Sequence, residues 1–114
     1  MLRLLICDDA PDAREAVKVS LAEQEGIEVV GEAERGDEAV STAAALRPDV
    51  ILMDVKMPVL DGISAADRIV SQRIAPVLIL TAFSQRELVE RAREAGAMAY
   101  LVKPFAKADL VPAI

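Results

Sequence analysis

A chain of 114 residues, 54% hydrophobic and 28% charged, is sized and composed for one compact domain with a single core, not for a disordered segment. The absence of histidine excludes histidine-ligated zinc, histidine general bases and Ser-His-Asp triads, and a net charge of -6 argues against direct binding of nucleic acid, which needs clustered Lys and Arg. No apolar run approaches the ~18 residues of a membrane span and no secretory signal pattern is seen, so the expected setting is the cytoplasm.

The first apolar run, "LRLLIC" (2–7), reads as a buried strand. It contains Cys7, a small buried hydrophobe with no second cysteine to pair with, and it leads straight into Asp8 and Asp9. Adjacent aspartates after a strand are most often a turn or cap feature, or else they face a cation. The next segment is helical: Ala13, Ala16, Val17, Ser20 and Leu21 follow the i, i+3, i+4, i+7, i+8 spacing, with Pro11 in the first turn and Gly26 for the stop. "IEVVGEA" (27–33) is the second strand, and Ala39, Val40, Ala43 and Ala44 mark a second helix that closes before Pro48. "DVILMD" (49–54) is a third strand, expected in the sheet centre and ending on Asp54. Ile63, Ala66, Ile69 and Val70 mark the third helix, and "PVLILT" (76–81) the fourth strand. "SQRE" (84–87) has capping-box spacing at the head of a fourth helix that ends at Gly96. "MAYLVK" (98–103) is the fifth strand, and "KADLVPAI" begins a fifth helix that Pro112 weakens. Met53, Met57 and Met98 read as packing residues of the core or the site lining.

Strand and helix alternate throughout, which predicts an α/β fold of (βα)5 type: a doubly wound, parallel five-stranded sheet with right-handed crossovers. In such sheets ligands bind beyond the carboxyl ends of the strands. The polar residues expected there are Asp8, Asp9, Asp54, Thr81 and Lys103. Crowding three carboxylates without a cation is strongly destabilising. Lys103 supplies one positive charge, and an all-oxygen ligand set without histidine favours Mg²⁺ over zinc for the rest. Singly, Thr81 is an ordinary strand end and "KPF" (103–105) an ordinary turn; their joint placement at the ends of strands one, three, four and five is what points to function. No P-loop or G-x-G-x-x-G pattern is present to cradle a nucleotide phosphate.

"ICDD", "LMDVKMPVLDGI", "LTA" and "YLVKPF" resemble, in order and spacing, the motifs of the response-regulator receiver domain of two-component signalling. The resemblance covers essentially the whole chain and implies the flavodoxin-like strand order 2-1-3-4-5. It implies that Asp54 accepts a phosphoryl group from the phosphohistidine of a sensor histidine kinase. By the same likeness Asp9 is a direct Mg²⁺ ligand, Asp8 holds the ion through water, and the Lys56 main-chain carbonyl completes the protein ligands. Thr81 and Lys103 correspond to the residues that grip the phosphoryl oxygens. Lys103–Pro104 resembles the family's cis peptide, and Tyr100 the aromatic that moves inward on activation. Lys56 and Phe83, two residues after the acceptor and two after the threonine, flank the path of hydrolytic water, with Pro104 also beside the site. The implied output surface is the face of helix four, strand five and helix five, through which a homodimer can form.

The second half, "SQRIAPVLILTAFSQRELVERAREAGAMAYLVKPF", more narrowly resembles receivers of ANTAR-type regulators, whose partner is an RNA-binding antiterminator module. The first half looks equally like receivers joined to helix-turn-helix DNA-binding domains; the ANTAR reading is preferred. Residues 1–114 are thus expected to be the receiver domain, with the output domain outside this chain and the last helix truncated. Outside this reading stand a phosphorylation-independent interaction module and an aspartyl-phosphate phosphatase. The phosphatase commonly needs a carboxylate two residues after its nucleophile, where this chain has Lys56. The expected protein is therefore no enzyme beyond its own phosphorylation and dephosphorylation.

Overall fold

A computed structural model describes residues 1–103 and 107–114. The elements alternate along the chain as β1 (Leu2–Cys7), α1 (Pro11–Leu21), β2 (Ile27–Ala33), α2 (Gly36–Leu46), β3 (Val50–Met53), α3 (Gly62–Ser71), β4 (Val77–Thr81), α4 (Arg86–Glu94), β5 (Ala99–Val102) and α5 (Lys107–Ala113). The strands form one parallel sheet, as the alternation predicts, in the order β2-β1-β3-β4-β5 that the family resemblance implies.

The period-2 alternation of each strand divides the core between the two faces of the sheet. Leu5, Cys7, Ile51, Met53, Val77 and Ile79 pack with Ala39 and Ala43 of α2, Ile63, Ala66 and Ile69 of α3 and Ala92 of α4. Leu4, Ile6, Leu52, Leu78 and Leu80 point the other way, to Val17 and Leu21 of α1 and Leu110 of α5. Both faces are covered, which is why the central strands read as unbroken apolar runs. Each fully buried Leu or Ile here contributes about 1.5–3 kcal/mol by leaving water.

Local details depart from expectation in five places. On α1 the buried positions are Arg14, Val17 and Leu21, while Ala16 is exposed. Gly26 does not stop that helix, which ends at Leu21; with φ of 84° it turns the chain into β2, its carbonyl accepting from the Leu2 N–H at 2.6 Å. The capping box at the head of α4 does not form: the N-cap is Gln85 and no side chain caps it. Met98 is 42% exposed just before β5, whereas Met53 and Met57 are buried as expected. Finally, α5 runs through Pro112 for 7 residues, about two turns at ~3.6 residues each.

Candidate functional site

Strands β1, β3, β4 and β5 each deliver a polar residue to the carboxyl edge of the sheet, and backbone bonds extend the ladder to hold it there. Asp8 follows β1 and its N–H donates to the Ala33 carbonyl at 3.0 Å; Asp54 follows β3 and donates to the Cys7 carbonyl at 2.9 Å. Thr81 is the last residue of β4, and the Lys103 N–H beyond β5 donates to its carbonyl at 2.7 Å. Glycine 62 lets α3 start directly against this edge: its N–H donates to the Val55 carbonyl at 2.7 Å, and a Cβ there would lie 1.7 Å from the Asp54 carbonyl oxygen. Any larger residue would push the Asp54–Val55 segment away.

Carboxylate oxygens of Asp8, Asp9 and Asp54 lie within 4.8 Å of one another. Asp8 is buried, Asp54 half-buried and Asp9 exposed, so the cluster opens to solvent on one side. Lys103 Nζ sits 2.9 Å from Asp8 Oδ2 and 3.9 Å from Asp54 Oδ2. Asp8 plays both parts left open by the sequence: Oδ1 accepts from the Ala10 N–H at 2.9 Å in a turn, while Oδ2 faces a cation. The Asp54 carboxyl is pushed above its usual range, first by burial and also by the Asp8 charge; the Thr81 hydroxyl, Lys103 and the Val55 N–H oppose this. One lysine does not neutralise three carboxylates, and the donor atoms are all oxygen, so the cluster fits a hard divalent ion such as Mg²⁺. Burial also pushes the Cys7 thiol up, which keeps it an inert apolar neighbour of this site.

Thr81 is fully buried. Its Oγ1 accepts from the Phe83 N–H at 3.5 Å, and the Tyr100 hydroxyl donates to the Phe83 carbonyl at 2.6 Å. The loop after β4 is thereby tied to both Thr81 and β5. Phe83 and the exposed Lys56 line one open groove of about 420 Å³ between the loop after β3 and the start of α4. Pro104 and its peptide bond with Lys103 lie outside the described residues.

Two residues not singled out by the sequence reading matter to the geometry. Arg14 donates from Nη1 to the Asp8 carbonyl at 2.7 Å. Its signal was its spacing from Val17 and Leu21, three and seven residues on, along the buried stripe of α1. Asp61 caps α3, accepting from the Ile63 and Ser64 N–H groups at 2.9 Å each, and its position directly before the helical run was the available cue.

A five-stranded, doubly wound sheet with an acidic cluster and a lysine at its carboxyl edge defines a flavodoxin-like fold carrying a candidate cation site, and comparison with known proteins narrows it. The response regulator receiver domain family matches residues 4–114, and the chain belongs to that family. It is 58% identical over 115 residues to the transcriptional regulatory protein PdtaR of Mycobacterium tuberculosis, covering 98% of this chain and 54% of that protein. The chain thus spans about half the length of this relative. The signal receiver domain of the response regulator NarL from Mycobacterium tuberculosis matches with a TM-score of 0.93 at 34% identity, over 98% of this chain and 91% of that one. The receiver domain of the sensor histidine kinase PA1611 from Pseudomonas aeruginosa PAO1, solved with a magnesium ion coordinated in its active site cleft, matches with a TM-score of 0.82. Its identity is 34%, over 96% of this chain and 90% of that one.

Proposed function

We propose that this receiver domain takes a phosphoryl group from the phosphohistidine of a sensor histidine kinase onto Asp54 and thereby switches an output surface. The observation that carries this reading is the convergence of Asp8, Asp9 and Asp54 within 4.8 Å, with Lys103 Nζ at 2.9 Å from Asp8 and 3.9 Å from Asp54. Asp8, Asp9, Asp54 and the Lys56 carbonyl would hold Mg²⁺, as the cleft of the PA1611 receiver does; when bound, the ion supplies positive charge to the phosphoryl oxygens. An Asp54 carboxylate oxygen attacks phosphorus, the P–N bond to the donor imidazole breaks, and its electron pair leaves with the imidazole. Lys103 neutralises the oxygens on its side, and the Thr81 hydroxyl donates to another. The histidine of the reaction belongs to the donor, so a chain with none is sufficient.

The same hydroxyl now accepts from the Phe83 N–H, so recruiting it to the phosphoryl group pulls on a loop that Tyr100 also holds. Tyr100 then shifts inward, and the α4–β5–α5 face changes shape; a bias of about 1–3 kcal/mol alters populations roughly 5- to 150-fold. Val89, Met98 and Val102 are exposed apolar residues on α4 and about β5, which suits this face to a homodimer. Phe83 shields the acyl phosphate from water, and Lys56 flanks the same groove. Residues 1–114 form the receiver of a longer regulator in the cytoplasm, and the output is an ANTAR-type RNA-binding module rather than a helix-turn-helix. Likeness to a transcriptional regulatory protein over 54% of its length supports such a division of labour. The chain is not an enzyme toward other substrates: the second acid/base position of a phosphatase is taken by Lys56.

Incubation with acetyl phosphate, with and without Mg²⁺, tests the proposal by intact mass. A gain of one phosphoryl group that requires Mg²⁺ is expected. No gain under either condition would favour a phosphorylation-independent interaction module.

A further inference from the structure

Arg14 is a charged side chain, 9% exposed, for which the phosphoryl chemistry has no task. Its guanidinium is used on all three arms. Nε donates to Glu32 Oε1 at 2.9 Å, Nη2 to Glu34 Oε1 at 3.2 Å, and Nη1 to the Asp8 carbonyl at 2.7 Å. The first two acceptors lie at the end of β2 and the third in the acidic loop, so one side chain on α1 fastens three segments. The Asp8 carbonyl lies in the same rigid peptide plane as the Asp9 N–H, and fixing it sets the direction in which the chain presents both aspartates. The other polar atoms of Asp8 are held as well, its N–H by Ala33, Oδ1 by the Ala10 N–H and Oδ2 by Lys103.

We propose that Arg14 is a positioning residue for the cation site: its grip on the Asp8 carbonyl, anchored by Glu32 and Glu34, holds Asp8 and Asp9 in ligand geometry before the ion arrives. The proposal rests on the reading of these aspartates as Mg²⁺ ligands. Charge and positioning predict opposite signs. A guanidinium near the cluster repels a divalent cation, so by charge alone its removal tightens Mg²⁺ binding. Loss of the clamp weakens it, because groups that orient ligands matter by about 10- to 100-fold in metal affinity.

Titration of the whole chain with Mg²⁺, followed by amide NMR shifts about Asp9 and Asp54, separates the two. Arg14→Met should bind Mg²⁺ about tenfold more weakly than wild type. Arg14→Lys keeps the charge but loses the fork, should also bind more weakly, and carries the test if the methionine variant does not fold. Equal or tighter binding in a folded Arg14 variant overturns the proposal, even if its melting temperature has dropped, because a structural brace alone lowers stability without changing affinity. Lys18 bridges Glu15 and Glu32 at 3.1 and 3.2 Å and belongs to the same charged network. Lys18→Met should bind Mg²⁺ as wild type does or more tightly; weakening equal to that of Arg14→Met also overturns the clamp. Wild type and Asp9→Ala test the underlying reading separately: identical Mg²⁺ titrations in these two place the ion elsewhere and remove the basis of both.

Discussion

Asp54 carries its charge where burial disfavours it, and its folded pKa is raised accordingly. An acid whose folded pKa exceeds its unfolded value binds its proton more tightly when folded. Its contribution to stability is therefore full below the unfolded pKa and lost as pH rises through the raised one. At neutral pH and without Mg²⁺ the ionised group costs stability. Asp54→Asn should then melt higher at pH 7, by about 4–8 °C for each kcal/mol relieved in a domain near this size, with the gain shrinking in acid, where wild type is protonated too. Paired thermal melts across pH check this; a lower melting point at neutral pH would contradict it. Asp61 has the opposite sign. Burial pushes its carboxyl up, but the Ser64 N–H and hydroxyl, Arg91 and the Ile63 N–H outweigh it and hold the group below the usual range. Its stabilisation is present above the unfolded pKa and lost as pH falls through the lowered one. Asp61→Ala should cost about 1–2 kcal/mol at pH 7 by urea unfolding. The gap between the two proteins should close once the wild-type carboxyl is protonated.

Among the elements, the loop between β3 and α3 stores strain. Val59 has a φ of 70° and is 77% exposed, so a β-branched residue occupies the left-handed region without burial to reward it. Such a position costs about 1–3 kcal/mol, against roughly 0.5–1 kcal/mol for the extra chain entropy of glycine. Val59→Gly should raise the urea midpoint, by about 0.5–1 kcal/mol of stability, and a lower midpoint would show that the loop depends on the valine side chain. The five strands and five helices were legible in the sequence because apolar runs and i, i+3, i+4 spacing follow directly from a sheet covered on both faces. The details that failed have local causes. Ser84 and Glu87 have the spacing of a capping box, but spacing does not fix where the first helical turn begins, and Gln85 takes the cap. Ala16 fits an apolar stripe yet faces solvent, because the buried face of α1 runs through Arg14, Val17 and Leu21, and Ala16 lies about 100° round the helix from Val17 on the exposed side. Arg14 itself was not legible as part of the site: a lone arginine in a helix carries no sign that its acceptor is a main-chain carbonyl.

At the scale of the whole molecule, the site exists only when the sheet is complete. Lys103 and Asp8 meet across 95 positions of sequence, and Asp54 and Thr81 come from the two strands between theirs. The constellation was nonetheless readable residue by residue, because the carboxyl ends of parallel strands share one edge whatever lies between them. What the sequence did not disclose was how the members are held: the backbone bonds that extend each strand, the close approach at Gly62, and the clamp on Asp8. The central claim is that this edge makes Asp54 a phosphoacceptor, and an acyl phosphate can be read at its own position. Borohydride reduces an aspartyl phosphate to homoserine, which peptide mass mapping then locates. After incubation with acetyl phosphate and Mg²⁺, homoserine is predicted at residue 54 and should be missing when Mg²⁺ is withheld; homoserine at Asp8, Asp9 or another carboxylate, or at none, would contradict the account.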